Sequence, residues 1–258
     1  MAKPLVSIIT PTYNSEQFIE ATIASVQKQT YPYWEMLIVD DASTDTTTAI
    51  ISNYKRQDAR IKFVALPTNK GAGYARNKAI NMAKGHYIAF LDADDIWLPE
   101  KLKVQVKFME SHKDALVSFS SYQLMDEQGE LMGVTIEALP EVSLGKMLKS
   151  NYVGNLTGMY NAKELGKIYM PLIRKRQDWG LWLSCIKKSG KAYGIPEVLA
   201  YYRIRKNSIS SNKFNLLKHN YIFYRKALNF GILKSGTYLS RFLIEHFFVK
   251  SKQTKKHS

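Results

Sequence analysis

Four short apolar runs alternate with segments of helical spacing along the first half of the chain, and each run is closed by polar turn residues. The runs lie at residues 6–10, 34–39, 61–66 and 86–91. Repeated strand–helix–strand units build a mainly parallel sheet with helices on both faces. The sequence therefore predicts an α/β fold whose ligands bind outside the carboxyl ends of the strands.

Polar motifs collect at those strand ends, at residues 11–14, 40–45 and 69–76. The loop of the third motif lacks the last glycine of a dinucleotide fingerprint, because Arg76 stands there, and it follows the third strand rather than the first. A nicotinamide cofactor is therefore rejected. A phosphate or base contact and an ordinary helix entry both stay open for this loop.

The fourth strand ends in three carboxylates within four residues, Asp92, Asp94 and Asp95. Like charges this close repel each other unless a cation neutralises them. Oxygen ligands without His or Cys favour Mg²⁺ or Mn²⁺ over zinc, so Asp92 and Asp94 are candidate metal ligands. The alternative is a solvated turn before the helix that starts near Pro99, and Asp95 suits the role of its N-cap.

The chain of 258 residues suffices for one α/β domain with an extension. Its single cysteine, Cys185, excludes an intramolecular disulfide and fits a reducing compartment. No signal-peptide pattern precedes the first strand, and no uncharged apolar run reaches the roughly 20 residues of a membrane span. We expect a cytoplasmic protein.

The positive charge is concentrated in the second half of the chain. Residues 1–130 hold 14 Lys and Arg against 16 Asp and Glu, whereas the remainder carries a net charge of +17. This asymmetry indicates an anionic partner, which is a nucleic acid, an anionic membrane surface or a phosphorylated substrate.

A lone carboxylate lies among these cations. Asp178 is the one acid between residues 164 and 197, and it follows the run Arg174-Lys175-Arg176. Positive neighbours favour the charged, proton-accepting form of a carboxylate. A helix N-cap and a surface ion pair are the alternatives.

In their order along the chain, these motifs resemble the inverting family 2 glycosyltransferases with the GT-A fold, and in particular bacterial surface-polysaccharide enzymes of the teichuronic acid or capsule type. The matching motifs are residues 11–14, 39–45, 69–77, 91–95 and 177–179, within a resemblance that spans about residues 4–212. It implies a Rossmann-like nucleotide-binding domain over residues 1–212 and a helical extension over residues 213–258.

The resemblance also implies roles for individual residues. Its nucleotide-binding residues are Pro11, Tyr13, Asp40, Asp41, Lys70, Arg76 and Asp92. Among them, Tyr13 stacks on the base and Asp41 binds its imino edge. Asp92 and Asp94 bind the ribose and the metal-diphosphate, and Asp178 is the general base.

One motif departs from the family pattern. Relatives often carry Tyr-Arg-x-His-x-x-Ser where this chain has Arg205 in place of the His. Arg205 cannot ligate a metal, but its forked guanidinium suits a diphosphate. The residues expected to contact the diphosphate or the acceptor are Arg203, Arg205, Lys206, Ser208 and Trp179.

The activity implied is a Mn²⁺- or Mg²⁺-dependent transfer of a sugar, with inversion, from a UDP-sugar or related donor to a hydroxyl of a growing surface glycan or lipid-linked acceptor. The enzyme alternatives are a sugar-1-phosphate nucleotidyltransferase and a haloacid-dehalogenase-like phosphatase. Both would carry their signature after the first strand, where this chain has residues 11–14. A nucleic-acid-binding protein is the non-enzyme alternative, and we expect no nucleic-acid partner.

The segment 213–258 carries ten Lys and Arg and one acid, Glu245, interleaved with apolar residues at helical spacing. This pattern predicts basic amphipathic helices that contact the inner face of the cell membrane peripherally. Helices packed on the catalytic domain and a homodimer interface are the alternatives.

Overall fold

The computed structural model describes residues 3–205 and 213–256, and the side chains of residues 213–216 and 251 are not described. Lys206 and Ser208, two of the expected diphosphate contacts, lie outside the described residues.

The described chain forms one mixed sheet with helices on both faces. Its strands are β1 Val6–Thr12, β2 Trp34–Asp40, β3 Ile61–Ala65, β4 Tyr87–Phe90, β5 Ile96–Trp97, β6 Val117–Met125, β7 Leu131–Ile136, β8 Glu141–Ser143, β9 Met159–Asn161, β10 Lys191–Arg203 and β11 Thr254–Lys256. Its helices are α1 Ile19–Gln27, α2 Thr47–Gln57, α3 Ala72–Met82, α4 Lys101–Ser111, α5 Leu144–Met147, α6 Ala162–Leu165, α7 Gln177–Ser189, α8 Lys213–Ile222 and α9 Ile232–Ile244.

The first four strands lie in the order β3-β2-β1-β4 and are parallel, which confirms the predicted α/β fold. Beyond β4 the sheet turns antiparallel through β9, β6, β7 and β11. The long strand β10 runs parallel to β6 and antiparallel to β5 and β8. The carboxyl ends of β1, β2 and β4 therefore meet at one edge.

The apolar runs are continuous because both faces of the sheet are buried. Successive residues of β1 enter different cores: Ile8 packs with α1 and α4, and Ile9 packs with α3 and α7. Both side chains are fully buried. A strand with two buried faces cannot show the alternation of apolar and polar residues that a half-exposed strand shows.

The C-terminal segment packs against the α7 face of the sheet. The α8 helix continues into a π-helical turn, Phe223–Ala227, and the ring of Phe223 stacks on that of Trp179 with 4.4 Å between centroids. After α9, a second π-helical turn, Glu245–Val249, and a 3₁₀ turn lead to β11. The boundary expected at residue 212 stays a prediction. None of the described helices has the length and apolar character needed to cross a membrane.

Candidate active site

A pocket of about 930 Å³ opens at the carboxyl ends of β1, β2 and β4 and is bounded on its other side by the start of α7. Eight of the expected site residues line it: Pro11, Tyr13, Asp41, Arg76, Asp92, Asp94, Asp178 and Arg205. The volume lies near the upper end of the range for ligand pockets, roughly 300–1,000 Å³, which leaves room for more than one substrate group.

The loops that follow β1 and β2 form one wall of the pocket. Carboxylate side chains in this wall accept hydrogen bonds from backbone N–H groups and hold the loops in place. Asp41 accepts hydrogen bonds from the backbone N–H groups of Lys70 and Gly71, each over 2.7 Å, and so ties β2 to the start of α3. Asp40 is fully buried and accepts from the backbone N–H of Ser43 over 2.8 Å. Asp40 and the Lys70 side chain do not line the pocket, so they shape this wall without forming its surface.

Tyr13 projects from this wall with 49% of its surface exposed. The neighbouring Asn14 adopts a left-handed backbone conformation with φ of +45°. Its side-chain oxygen accepts from the backbone N–H of Thr44 over 2.9 Å, which joins the loops after β1 and β2. An open aromatic face on a fixed loop suits stacking against a planar base.

Arg76 connects three walls of the pocket. Its guanidinium pairs with Asp92 over 2.6 Å and donates to Gln177 Oε1 over 3.2 Å. Burial alone would lower the pKa of Arg76, but the carboxylates of Asp92, Asp178 and Asp94 raise it above its ordinary value. Asp92 also accepts from the amide of Asn155 at 3.3 and 3.4 Å.

Asp94 lies deeper in the acidic cluster and pairs with Arg205 Nε over 3.0 Å. Burial and the charge of Asp92 raise the pKa of Asp94, and Arg205 and Arg203 oppose that increase. The two arginines therefore only partly offset the effect of burial and of Asp92.

Asp95 does not cap the following helix, contrary to the role considered from sequence. It is buried, and its carboxylate accepts from the backbone N–H of Arg203 over 2.9 Å. Burial raises the pKa of Asp95 well above its ordinary value, with further increases from Asp94 and Asp92. Asp95 thus joins the acidic loop to the end of β10.

The acidic pair fits a divalent ion that arrives with its substrate. Within the described residues, no group of three or more His, Cys, Asp or Glu could hold a metal. Mg²⁺ is commonly held by one or two carboxylates together with substrate phosphates. Asp94 and Asp92 both line the pocket and offer that donor set.

Asp178 lies in the first turn of α7 and lines the same pocket as the acidic loop. Its Oδ2 accepts from Asn151 Nδ2 over 2.7 Å, and the backbone carbonyl of Asn151 accepts from Lys250 Nζ. In the described chain, Asp178 makes neither a helix cap nor an ion pair within 4.0 Å. Burial and the nearby Arg176 lower the pKa of Lys250 to about 8, and Asp178 opposes that decrease.

Two residues expected to contact the diphosphate or the acceptor make other contacts in the structure. Trp179 is buried, and its indole N–H donates to the carbonyl of Met147 over 2.7 Å. Arg203 donates to the backbone carbonyls of Asp94 at 2.8 Å and Glu127 at 2.9 Å. Neither side chain lines the pocket, so both act in packing.

Sequence reasoning did not name the amides that orient the charged groups. Asn151 holds Asp178, Asn155 holds Asp92, and Gln177 holds Arg76. The uncharged, Gly- and Asn-rich segment 151–160 supplies Asn151 and Asn155, and its composition is typical of a loop that lines a pocket.

The fold and this arrangement of carboxylates define a glycosyltransferase of the GT-A class. Residues 7–162 match the family model described as glycosyl transferase family 2, and the chain belongs to that family. This membership removes the phosphatase and nucleotidyltransferase alternatives.

Among individual proteins, the chain is 46% identical to a Bacillus subtilis protein named teichuronic acid biosynthesis glycosyltransferase TuaG, over 90% of this chain and 92% of that protein. It is 38% identical to WfgD of Escherichia coli, named as a UDP-Glc:α-D-GlcNAc-diphosphoundecaprenol β-1,3-glucosyltransferase, over 84% of each chain.

Among solved structures, it is similar to S. aureus TarS 1–349 in complex with UDP-GlcNAc. The TM-score is 0.73 at 26% identity, over 95% of this chain and 73% of that chain. A mannosyltransferase of Pyrobaculum calidifontis, in complex with GDP-Man and Mn²⁺, shares the fold with a TM-score of 0.69 at 18% identity, over 98% of this chain and 72% of that chain.

Proposed function

We propose that this protein is a metal-dependent, inverting glycosyltransferase that takes its sugar from a UDP-sugar and adds it to a hydroxyl of a surface glycan or lipid-linked acceptor. The observation that carries the proposal is one pocket lined by the three carboxylates Asp92, Asp94 and Asp178. The B. subtilis and E. coli relatives, by their names, support the substrate class.

The donor binds along the wall that carries Tyr13 and Asp41. Tyr13 stacks on the base, and Arg76 and Asp92 hold the nucleotide in place. Asp94, with Asp92, would hold Mn²⁺ or Mg²⁺, which when bound supplies positive charge to the leaving diphosphate. Arg205 adds a forked guanidinium on the same side.

Asp178 acts as the general base for the acceptor hydroxyl. Its carboxylate takes the proton of the acceptor hydroxyl, the hydroxyl oxygen bonds to the anomeric carbon, and the bond from that carbon to the diphosphate oxygen breaks. Attack opposite the leaving group inverts the anomeric centre. Asn151 orients the carboxylate during this step through its hydrogen bond of 2.7 Å.

The test is a panel of nucleotide sugars measured for binding and hydrolysis with Mn²⁺, with Mg²⁺ and with chelator. UDP-sugars should bind best, and the metal should strengthen their binding. Asp94→Asn should remove the metal response, because a neutral amide is a poorer ligand for a hard dication. Asp114→Asn, at the opposite end of the sheet, is the matched control. Unchanged UDP affinity and metal response in Asp94→Asn would reject the metal assignment.

We also propose a peripheral contact with the inner face of the cell membrane through α9. Leu233, Ile244 and Phe248 are exposed by 88%, 59% and 71%. Their spacing along α9 and its π-helical extension places them in one stripe, flanked by exposed Lys234 and Arg241. Apolar side chains bordered by cations suit an anionic bilayer surface.

Sedimentation with phosphatidylglycerol vesicles tests this contact. Leu233→Ser with Phe248→Ser should reduce binding, whereas Tyr33→Ser removes an exposed aromatic elsewhere and should not. Point variants are preferred to deletion of residues 213–258, because Phe223 covers the buried Trp179. Equal sedimentation of all variants would reject the membrane contact. The homodimer stays a prediction.

A further inference from the structure

Three cationic side chains and one histidine on the pocket wall take no part in the function proposed above. Arg174, Lys175 and Arg176 immediately precede α7, and His219 approaches from α8. All four line the pocket that holds Asp178. We call these four residues the basic cluster.

Arg174 and Arg176 differ from the other arginines in the pocket in having no ion pair with the described residues. Arg76 pairs with Asp92, and Arg205 pairs with Asp94. By contrast, no carboxylate of the described chain lies within 4.0 Å of the guanidinium of Arg174 or Arg176.

The members of the basic cluster also repel one another. Burial lowers the pKa of Lys175, and Arg176 and Arg174 lower it further. Burial lowers the pKa of His219 as well, and Lys175, Arg174 and Arg176 add to that decrease. A bound anion would relieve this repulsion, since opposite charges favour the protonated forms.

Part of the cluster is fixed before any ligand binds. Arg176 adopts a left-handed backbone conformation with φ of +69°. Its Nε donates to Oδ1 of Asn220 over 2.7 Å, and Asn220 is fully buried. A preorganised guanidinium loses less conformational freedom when it binds a phosphate than a free side chain does. The α8 helix supplies both Asn220 and His219, so the C-terminal segment contributes to this wall.

The position of the cluster next to Asp178 assigns it to the acceptor. Arg176 stands two residues before Asp178, which in the proposed function accepts the proton of the acceptor hydroxyl. The donor's diphosphate is assigned to Asp94 and Arg205, which pair with each other. We therefore assign an anion held by the cluster to the molecule whose hydroxyl faces Asp178.

We propose that Arg174, Lys175, Arg176 and His219 bind a phosphate or diphosphate group of the acceptor, close to the sugar that carries the reacting hydroxyl. This inference rests on the proposed function, because Asp178 defines the acceptor side. It specifies a phosphate-linked sugar as the acceptor class. Forked guanidinium groups recognise phosphate oxygens in pairs.

The test uses inorganic diphosphate as the probe, titrated by calorimetry into protein already saturated with UDP so that the donor site is filled. Wild type should bind the probe. Arg174→Gln and Arg176→Gln should each bind it about 10- to 100-fold more weakly, as expected for the loss of one charged hydrogen bond. Arg174→Lys should bind the probe more weakly than wild type but more tightly than Arg174→Gln, because it keeps the charge and loses the forked geometry.

Lys187→Gln removes an exposed positive charge at the other end of α7 and is the matched control. It should change the affinity for diphosphate less than about twofold, since exposed charges contribute little at a distance. Arg174 is exposed, so its variants keep the test decisive if Arg176→Gln fails to fold.

Three outcomes have distinct meanings. Loss of UDP affinity in Arg174→Gln, with diphosphate binding intact, would assign the cluster to the donor and overturn the proposal. Absence of diphosphate binding by UDP-saturated wild type would also overturn it. A protein that bound no nucleotide, yet lost diphosphate affinity in Arg174→Gln, would contradict the proposed function and support the phosphate site.

Discussion

Asn151 holds one oxygen of Asp178 and is itself held by the C-terminal segment. Its amide donates to Asp178 Oδ2 over 2.7 Å, and its backbone carbonyl accepts from Lys250 Nζ. Oδ1 of Asp178 makes no hydrogen bond to the described residues. One carboxylate oxygen is thus fixed and the other faces the pocket, which is the arrangement that a positioned base requires.

Asp178→Asn should lower the rate of sugar transfer by about 10²–10⁴-fold, the range typical for loss of a general base. The donor dissociation constant should stay within a small factor of wild type, because the Asp178 side chain bonds to Asn151 rather than to the residues assigned to the donor. The measurement is the transfer rate beside donor affinity, with the cognate donor and acceptor. Near-normal transfer would assign the base role to another residue, and lost donor binding in a folded variant would move Asp178 to the nucleotide site.

Tyr13→Ala should weaken UDP binding by about 5- to 150-fold, since stacking of a base on an aromatic ring contributes about 1–3 kcal/mol. Tyr13→Phe keeps the ring and should bind UDP nearly as wild type does. Titrations with UDP and with inorganic diphosphate check this. Equal losses for both ligands in Tyr13→Ala would show that Tyr13 does not contact the base. Tyr13 gives a cleaner test than Asp41, whose carboxylate also holds the α3 loop.

Lys101→Met should stabilise the fold. Lys101 is fully buried, its Nζ has no hydrogen-bond partner among the described residues, and it lies 3.4 Å from the centroid of the Trp97 ring. The ring attracts the ammonium by about 2 kcal/mol, which is less than the several kcal/mol that desolvation of an ion costs. Burial therefore lowers the pKa of Lys101 well below its ordinary value of 10.5.

The sign of the pH dependence follows from this decrease. Below pH 10.5 the unfolded chain binds a proton at Lys101 that the folded chain resists, so stability falls as the pH drops from 10.5 towards the folded pKa. Lys101→Met should raise Tm by about 2–4 °C for each kcal/mol gained in the free energy of unfolding. The increase should be larger near neutral pH than near about pH 10. The control is Lys103→Met on the exposed face of α4. A gain that is equal at both pH values would contradict a neutral buried lysine.

Gly158→Ala should destabilise the fold by about 3 kcal/mol, near the upper end of the range for overpacked cores. A Cβ at residue 158 would lie 2.1 Å from Cζ2 of Trp182. Trp182 is fully buried with its ring edge-on to Phe90, so it has little room to move. Gly145→Ala, in α5 with nothing within 4 Å of the new Cβ, is the control for chemical denaturation. Equal stability of both variants would contradict this account.

The parallel half of the fold was predictable because its signals are local. Each strand, turn and helix from β1 to β4 is specified by the pattern of neighbouring residues. Because the carboxyl ends of parallel strands lie at the same edge of a sheet, their polar motifs are expected to lie together. The antiparallel half was not predictable, since β9 joins β4 to β6 across long sequence separations. No local pattern encodes that pairing.

The lack of a local sequence signal also explains why the positions of Trp179 and Arg203 were not predicted. Trp179 follows Asp178 in the sequence, but successive residues of a helix point about 100° apart, so Asp178 faces the pocket while Trp179 enters the core. Arg203 is the last residue of β10, and its guanidinium donates hydrogen bonds to the backbone carbonyls of Asp94 and Glu127. Residue type alone does not predict the direction of a side chain, which is set by its packing in the folded protein.

The short strand β11 also protects an edge of the sheet from pairing with another chain. It covers the edge of β7, and all three of its residues are exposed, including Lys255 and Lys256. Lysines on a short edge strand oppose further pairing with another chain. Truncation before residue 254 would leave the edge of β7, which carries the exposed Leu131 and Met132, without its neighbouring strand. We expect the truncated protein to self-associate.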